Sequence, residues 1–317
     1  MKKFHKAGAA RLFLSATVFL AACGSSGESS DTTALSAVET TIAEATYPVT
    51  VGDLTLDAQP VRIVSLSPTA TEMLYAIGAG AQVVAVDEQS NFPQEAVALG
   101  TALSGFQPNV EAISAYAPDL VIVSYDPGGF VDQLKSLGIP VFIGAAASSF
   151  DNVYEQIEQL GVLTGHIAQS VQLSSQLQAE IEATVAEVTM PATPLSYYYE
   201  LDNTYYSATS NTFVGQVFAL FGLRNIADTA EAGNDYPQLS AEAIVSSDPD
   251  LIFLADTKYS KESIATVGAR AGWSTMKAVT TGNVVELDDD IASRWGPRIV
   301  DLVMSVGAAI SNALVNS

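Results

Sequence analysis

The sequence predicts an α/β protein made of two similar, mostly parallel-sheet lobes joined by a long linker helix. Three observations lead there. First, one phrase occurs twice: Glu111-Ala112-Ile113 precedes Pro118-Asp119-Leu120 and the apolar run Val121-Ile122-Val123, and Glu242-Ala243-Ile244 precedes Pro249-Asp250-Leu251 and Ile252-Phe253-Leu254. Both triplets recur at the same offset (242 − 111 and 250 − 119, each 131). Second, short β-rich runs alternate with helical patterns around each copy, which implies parallel strands covered on both faces. Third, the stretch from Asp151 to about Val188 contains no proline and repeats apolar residues at helical spacing, from Ile157 and Leu160 through Ile167, Val171, Leu177, Ile181 and Val185.

In order, Val61 to Leu66 reads as a strand that stops at Ser67-Pro68. A helix is predicted from Thr69, with Thr69 and Glu72 as a capping box and Gly78 as its end. Gln82 to Val86 is the next strand, Asn109 caps a helix through Tyr116, and Leu120 to Ser124 is a buried strand. Val131 to Leu137 reads as a helix stopped by Gly138, and Val141 to Ile143 as a strand. Gly161 and Gly165 are expected to split the proline-free stretch into a shorter and a longer helix, ended by Pro191 and Pro194. Such a helix between lobes would act as a strut that limits their closure. The second lobe starts with a strand over Leu195 to Leu201, whose tyrosines Tyr197, Tyr198 and Tyr199 should bury alternate faces. A helix near Thr212 to Phe221, the repeated helix capped by Ser240, the repeated strand Leu251 to Leu254, a strand Asn283 to Leu287 and a last helix from Pro297 to Leu314 follow.

The boundaries are a signal peptide at 1–22, a lipidated cysteine with a flexible tether at 23–46, an N-terminal lobe at 47–150, a linker helix region at 151–190 and a C-terminal lobe at 191–317. The leader has a positive start (Lys2, Lys3, Lys6, Arg11) and an apolar stretch, Leu12 to Ala22, too short to span a bilayer. It ends Leu20-Ala21-Ala22-Cys23-Gly24, which resembles the bacterial lipobox and implies a diacylglycerol on Cys23. The Ser-, Thr- and Gly-rich residues after it carry no core pattern.

Composition removes several classes of function. Net charge is −22, and loss of the leader with its four basic residues leaves 9 basic against 35 acidic residues. Nucleic-acid binding needs a basic face and is excluded. Cys23 is the only cysteine, so an intrachain disulfide, a CxxC redox pair and a cysteine zinc site are excluded. His5 lies in the leader, so a His-cluster metal centre in the mature chain is excluded too. No GxSxG elbow, Walker sequence or HExxH occurs, and Gly78-x-Gly80 lacks the third glycine of a dinucleotide loop.

With both lobes, the strut and the lipobox in place, the chain resembles the class III substrate-binding proteins, which feed cobalamin, ferric siderophores or haem to ABC importers. The resemblance covers about residues 60 to 315 and rests on Arg62-Ile63-Val64-Ser65-Leu66-Ser67-Pro68, Thr71-Glu72, Ser90-Asn91-Phe92-Pro93, Phe106-Gln107-Pro108-Asn109-Val110-Glu111, Tyr236-Pro237-Gln238-Leu239-Ser240-Ala241-Glu242, Trp273-Ser274 and Gly296-Pro297-Arg298. Their order and spacing together carry it. It implies a protein without chemistry of its own and without a resident cofactor, which binds a cobalt- or iron-containing chelate between its lobes. It implies a monomer, held to the membrane by its lipid, that docks on a permease dimer with its ATPase subunits. Within the family the cobalamin-binding pattern fits best: an aromatic at Phe106, another at Tyr236, and an acid and a base at Asp290 and Arg294. A ferric siderophore is the next alternative, and haem the third, since a mature chain whose single histidine is His166 would need a tyrosine as axial ligand.

The residues make their own case beside the resemblance. Phe106, Tyr125, Tyr205, Tyr206 and Tyr236 fall in loops at predicted strand ends, where ligands of open α/β sheets collect. Flat chelates bury much apolar area on such rings. Asp290 with Arg294 would form a polar edge, the arginine facing an anionic or amide-bearing ligand. Glu200 stands where the family pattern has an aromatic. Glu111 and Glu242, in the first turns of the repeated helices, either serve the helix dipole or engage permease arginines, as the family implies. Asp288-Asp289-Asp290 leaves open a different class, a metal-dependent phosphohydrolase, although consecutive carboxylates at a strand end point different ways.

Overall fold

The computed structural model describes residues 45–101 and 103–315. The signal peptide, Cys23 and the tether up to residue 44 lie outside the described residues. An antiparallel hairpin, β1 (Val49–Val51) and β2 (Leu54–Leu56), precedes the first lobe. That lobe holds β3 (Ile63–Leu66), α1 (Pro68–Ala76), β4 (Val83–Val86), α2 (Gln94–Val97), α3 (Val110–Ser114), β5 (Leu120–Val123), α4 (Phe130–Ser136) and β6 (Val141–Ile143). The linker is α5 (Phe150–Thr164) and α6 (Ile167–Glu187). The second lobe holds β7 (Ser196–Glu200), α7 (Phe213–Ala219), β8 (Arg224–Asn225), α8 (Ala241–Ser247), β9 (Leu251–Leu254), α9 (Ile264–Gly268), α10 (Lys277–Thr280), β10 (Val284–Glu286), α11 (Asp289–Ser293) and α12 (Ile299–Val315).

The duplication inferred from the repeated phrase is a duplication of sheet topology. The first lobe orders its parallel strands β4-β3-β5-β6, and the second orders its own β8-β7-β9-β10. The repeated Pro-Asp-Leu has a mechanical role in both. Asp119, just before β5, accepts hydrogen bonds from the Val61 and Arg62 amides at 2.9 Å each, ahead of β3. Asp250, just before β9, accepts from the Ser196 amide at 2.8 Å and the Ser196 hydroxyl at 2.9 Å, at the start of β7. Each aspartate thus ties two neighbouring strands at their amino ends and sets their register, since it satisfies amides that no ladder partner reaches.

Three apolar clusters fill the molecule. One lies on the outer face of the first sheet (Val64, Ile113, Val121, Val131), and one on the outer face of the second (Tyr198, Ile244, Ile252, Trp273). The third is continuous across both lobes and the linker, from Ile63 and Leu120 through Leu160 and Leu177 to Tyr197 and Val303. Within it α5 packs on α1 and β1, while α6 packs on α5 and on α12. The strut expectation therefore has a physical basis: opening the lobes widely would expose part of a shared core.

Some local details differ from the sequence reading. The first helix is capped by Ser67, whose hydroxyl accepts from the Ala70 amide at 3.3 Å, with Pro68 at its first position. Thr69 is therefore not the cap, because a serine just ahead of a helix-starting proline already fills that role. Gly161 does not break the linker. It lies inside α5, where an added Cβ would come within 1.9 Å of the Ser170 hydroxyl, so it is the contact point between α5 and α6. Gly165 does the breaking, at φ +79°. Tyr197, Tyr198 and Tyr199 are all buried, because both faces of the sheet are covered; alternation survives as their division between two clusters.

Candidate functional site

Parallel strands in both lobes end on one cleft. A cavity of about 550 Å³ is lined by Leu66 at the end of β3, Asp87 and Gln89 after β4, Phe106, and Tyr125 after β5. Its other wall is Tyr259 after β9 and Asp290, Arg294 and Trp295 of and beyond α11. A second cavity of about 210 Å³ adjoins it through Arg294 and Trp295 and is lined by Tyr199, Phe213 and Tyr236. Phe106, Tyr125, Tyr236 and Tyr259 are 66, 46, 55 and 67% exposed. Rings this bare are the apolar area a flat ligand would cover.

The floor is polar and rigid. A chain of buried hydroxyls runs from Ser65 to Thr71 (2.8 Å), on to Ser90 (2.9 Å), and from Ser90 to the Asp87 carboxylate (2.9 Å). Burial raises the Asp87 carboxyl, against the bonds from Gln89 and Ser90. Arg294 is buried, and its four terminal N–H groups meet four acceptors: Glu72 (2.8 Å), Asn91 (3.0 Å), the Gln89 carbonyl (2.8 Å) and Asp290 (3.0 Å). Glu72 also takes a two-point contact from Arg298, at 2.9 and 2.6 Å, and Arg298 lies over the Phe92 ring. Asp290 accepts from Asn91 at 2.9 Å and is bonded by Lys258. Burial works against it, but Lys258 and Arg294 hold the Asp290 carboxyl below its ordinary range. The lobes are therefore bridged at the cleft by Glu72 and Asn91 of one lobe and Arg294, Arg298 and Asp290 of the other.

Of the residues singled out in the sequence, Phe106, Tyr125, Tyr236, Asp290 and Arg294 line the cleft. Tyr205 and Tyr206 line neither cavity. Tyr205 turns into its own lobe, stacked on Trp273 at 5.8 Å with Arg270 over its ring, and Tyr206 bridges to Gln238. Against the expectation of an arginine free to meet an anion, the four terminal N–H groups of Arg294 are already engaged by protein acceptors. Glu111 and Glu242 are exposed at the second position of α3 and α8, which Asn109 and Ser240 cap by accepting from Ala112 (2.9 Å) and Ala243 (3.1 Å). Each helix feeds a parallel strand from the strands' carboxyl ends, so both glutamates stand toward the edge where the cleft opens. The sequence reading missed Trp295, which donates to Gln156 at 3.1 Å, and Tyr259, whose hydroxyl reaches Gln89 across the cleft at 3.2 Å. No local pattern marks a tyrosine in an irregular loop.

The three consecutive aspartates do separate work. Asp288 caps α11 by accepting from the Asp290 and Ile291 amides. Asp289 accepts from the Thr257 hydroxyl and the Lys258 and Tyr259 amides, which orients the loop carrying Tyr259. Asp290 faces Arg294. Asp288 and Asp290 meet on the Lys258 ammonium while Asp289 turns to the 257–259 loop, and among the described residues no group of three or more acids, histidines or cysteines is placed to hold a metal ion.

Behind the cleft, Glu200 is wholly buried and bonded at two points by Arg270, at 2.7 and 2.6 Å, with Glu262 on the same arginine at 2.8 Å. Beside them Asp256 is buried, and neither of its oxygens has a hydrogen-bond partner among the described residues. Burial, then the charges of Glu200 and Glu262, push its carboxyl from 3.8 up to about 7. The folded state thus holds a proton that the unfolded chain releases, and this contribution to stability is lost as pH rises from about 4 to 7. Asp256→Asn is expected to flatten that fall by on the order of 1–3 kcal/mol, the scale of a buried unpaired polar group. Urea unfolding of both proteins at pH 5 and pH 8 measures it; equal pH slopes would rule it out.

Comparison with known proteins agrees with this geometry. The family model described as periplasmic binding protein matches residues 63–291. The chain is 33% identical over 282 residues to a cobalamin-binding protein of Halobacterium salinarum, covering 85% of this chain and 76% of that one. It is 30% identical to the uncharacterized ABC transporter substrate-binding lipoprotein YvrC of Bacillus subtilis, covering 98% of each. Among solved structures it is similar to the periplasmic vitamin B12 binding protein BtuF of Vibrio cholerae (TM-score 0.65, 26% identity, 81% of this chain and 98% of that one). It is also similar to the periplasmic heme-binding protein RhuT of Roseiflexus (TM-score 0.70, 26% identity, 80% and 98%). Two parallel-sheet lobes, a helical linker and a cleft at the strands' carboxyl ends accompany these matches, and the chain belongs to the periplasmic binding protein family, with the class III architecture.

Proposed function

We propose that this protein is the lipid-anchored substrate-binding component of an ABC importer and that it carries a corrinoid from outside the cytoplasm to a permease dimer. The observation that carries the reading is the cleft itself: aromatic rings from both lobes face one space, and the polar groups at its floor are mutually satisfied. Such a surface supplies contact area and hydrogen-bond acceptors, and the one hydroxyl bonded to a carboxylate there among the described residues, Ser90 on Asp87, is buried and lines neither cavity. The cobalamin- and B12-binding relatives support the corrinoid choice. Cys23 is the proposed lipid site, and Glu111 and Glu242 are the proposed contacts to the two permease subunits.

Haem is the second reading, favoured by exposed phenols at Tyr125 and Tyr259 and by the likeness to RhuT. His166 is no candidate ligand, since it lines neither cavity and its ring Nδ1 lies 3.0 Å from the Thr164 carbonyl at the start of α6. Titration of the purified protein with cyanocobalamin, haemin and a ferric siderophore, followed by intrinsic fluorescence, tests the proposal. Saturable binding of none of them would overturn it. In the wild-type background, Phe106→Ala and Tyr236→Ala should each weaken binding by about 1–3 kcal/mol, the scale of a buried aromatic contact. Calorimetric affinities that do not move in either variant would take both rings out of the site.

A further inference from the structure

Resting on the carrier reading above, we infer that the cleft discriminates by charge: it accepts a chelate with no net negative charge that presents N–H donors, and Glu72 is the residue that sets this preference. Arg294 is the one cation lining either cavity among the described residues. Its four terminal N–H groups are spent on Glu72, Asn91, the Gln89 carbonyl and Asp290. Two further cations border this network: Arg298 is held on both oxygens of Glu72, and Lys258, half-exposed, is bonded to Asp290 and lies 3.4 Å from Asp288. A carboxylate or catecholate arriving in the cleft would have to displace Glu72 or Asp290 from Arg294 and leave that buried acid with one cation in place of two, a loss that a low-dielectric site makes costly.

What the cleft does offer is acceptors. Gln89, Asp87 and Asp290 are among the residues lining the larger cavity, and their side-chain oxygens have lone pairs beyond the internal bonds they accept. Amide N–H groups on the rim of a neutral chelate match them; propionates and phenolates do not. Glu72 dominates the effect because it is the acid that neutralises two arginines at once. It comes from the opposite lobe, at 3% exposure, so water does not screen the contact.

The test compares three probes on the purified protein: neutral cyanocobalamin, haemin with its two propionates, and a ferric tris-catecholate. Wild type should bind cyanocobalamin at least roughly tenfold more tightly than either anion. Glu72→Gln, which frees donors on Arg294 and Arg298, should raise haemin affinity relative to cyanocobalamin by about tenfold. Asp290→Asn gives an independent release of Arg294 should the first variant fail to fold, with far-UV circular dichroism as the check. If haemin or the tris-catecholate binds wild type as tightly as cyanocobalamin, charge discrimination is wrong while the carrier reading stands. If folded variants leave the ratio unmoved, Glu72 does not set it. If none of the three probes binds wild type or variants, the carrier reading falls and the charge preference with it.

Discussion

Arg270→Ala is expected to destabilise the protein by about 3–5 kcal/mol, the cost of leaving a buried charge without its partner. Glu200 ends the central strand of its sheet with no exposed surface, and Arg270 is its two-point partner. Glu262 shares that arginine, so the truncation leaves two acids without their cation beside the already unpaired Asp256. Arg270 also covers the Trp273 ring at 4.6 Å and the Tyr205 ring at 5.4 Å, and this packing goes with it. Chemical denaturation at pH 7 measures the loss. Combining Arg270→Met with Glu200→Met should recover part of it, because the apolar pair removes the buried Glu200 charge while Glu262 still lacks its cation. An Arg270→Ala protein within 1 kcal/mol of wild type, on the scale of an exposed ion pair, would show that the cluster is solvated. The result bears on function because this cluster stands where the family pattern led us to expect a ligand-facing aromatic. The lobe has placed an ion pair there and turned Tyr205 inward to cover it.

Glu111→Ala combined with Glu242→Ala is expected to abolish uptake of the cargo by whole cells while leaving its affinity for the purified protein unchanged. Both side chains are exposed, neither lines a cavity, and both helices keep their Asn109 and Ser240 caps. Each substitution forfeits only about 0.3–1 kcal/mol of helix-dipole stabilisation, so the fold should hold. Two matched carboxylates on duplicated lobes suit a partner that is itself two-fold. Charge pairs at a rim set orientation and association rate, so losing one should slow docking and losing both should stop productive docking. Uptake of labelled cargo, beside equilibrium binding by the same variant, separates the two effects. Transport at the wild-type rate would remove both glutamates from the partner surface.

The repeated phrase was enough to reveal two lobes, because parallel βαβ units repeat their pattern locally. Apolar runs mark buried strands, and Asn109, Thr212 and Ser240 mark helix starts that the structure keeps. Phe106, Tyr125 and Tyr236 could be placed near strand ends for the same reason: a loop's position follows from the order of the elements beside it. What no local pattern carried was pairing across the cleft. Glu72 looked like part of a capping box and is instead the shared partner of Arg294 and Arg298, more than 200 residues away along the chain. Tyr205 looked like a cleft aromatic and covers Trp273, while Tyr259 and Trp295 enter the cleft unannounced. Architecture and the duplicated helices were determined by the sequence alone, because they depend on periodicity, composition and short-range capping. Only the folded molecule decided which charges face the cargo, because an ion pair's partner is chosen by the packing of two lobes in a low-dielectric cleft and leaves no trace in the residues on either side of it.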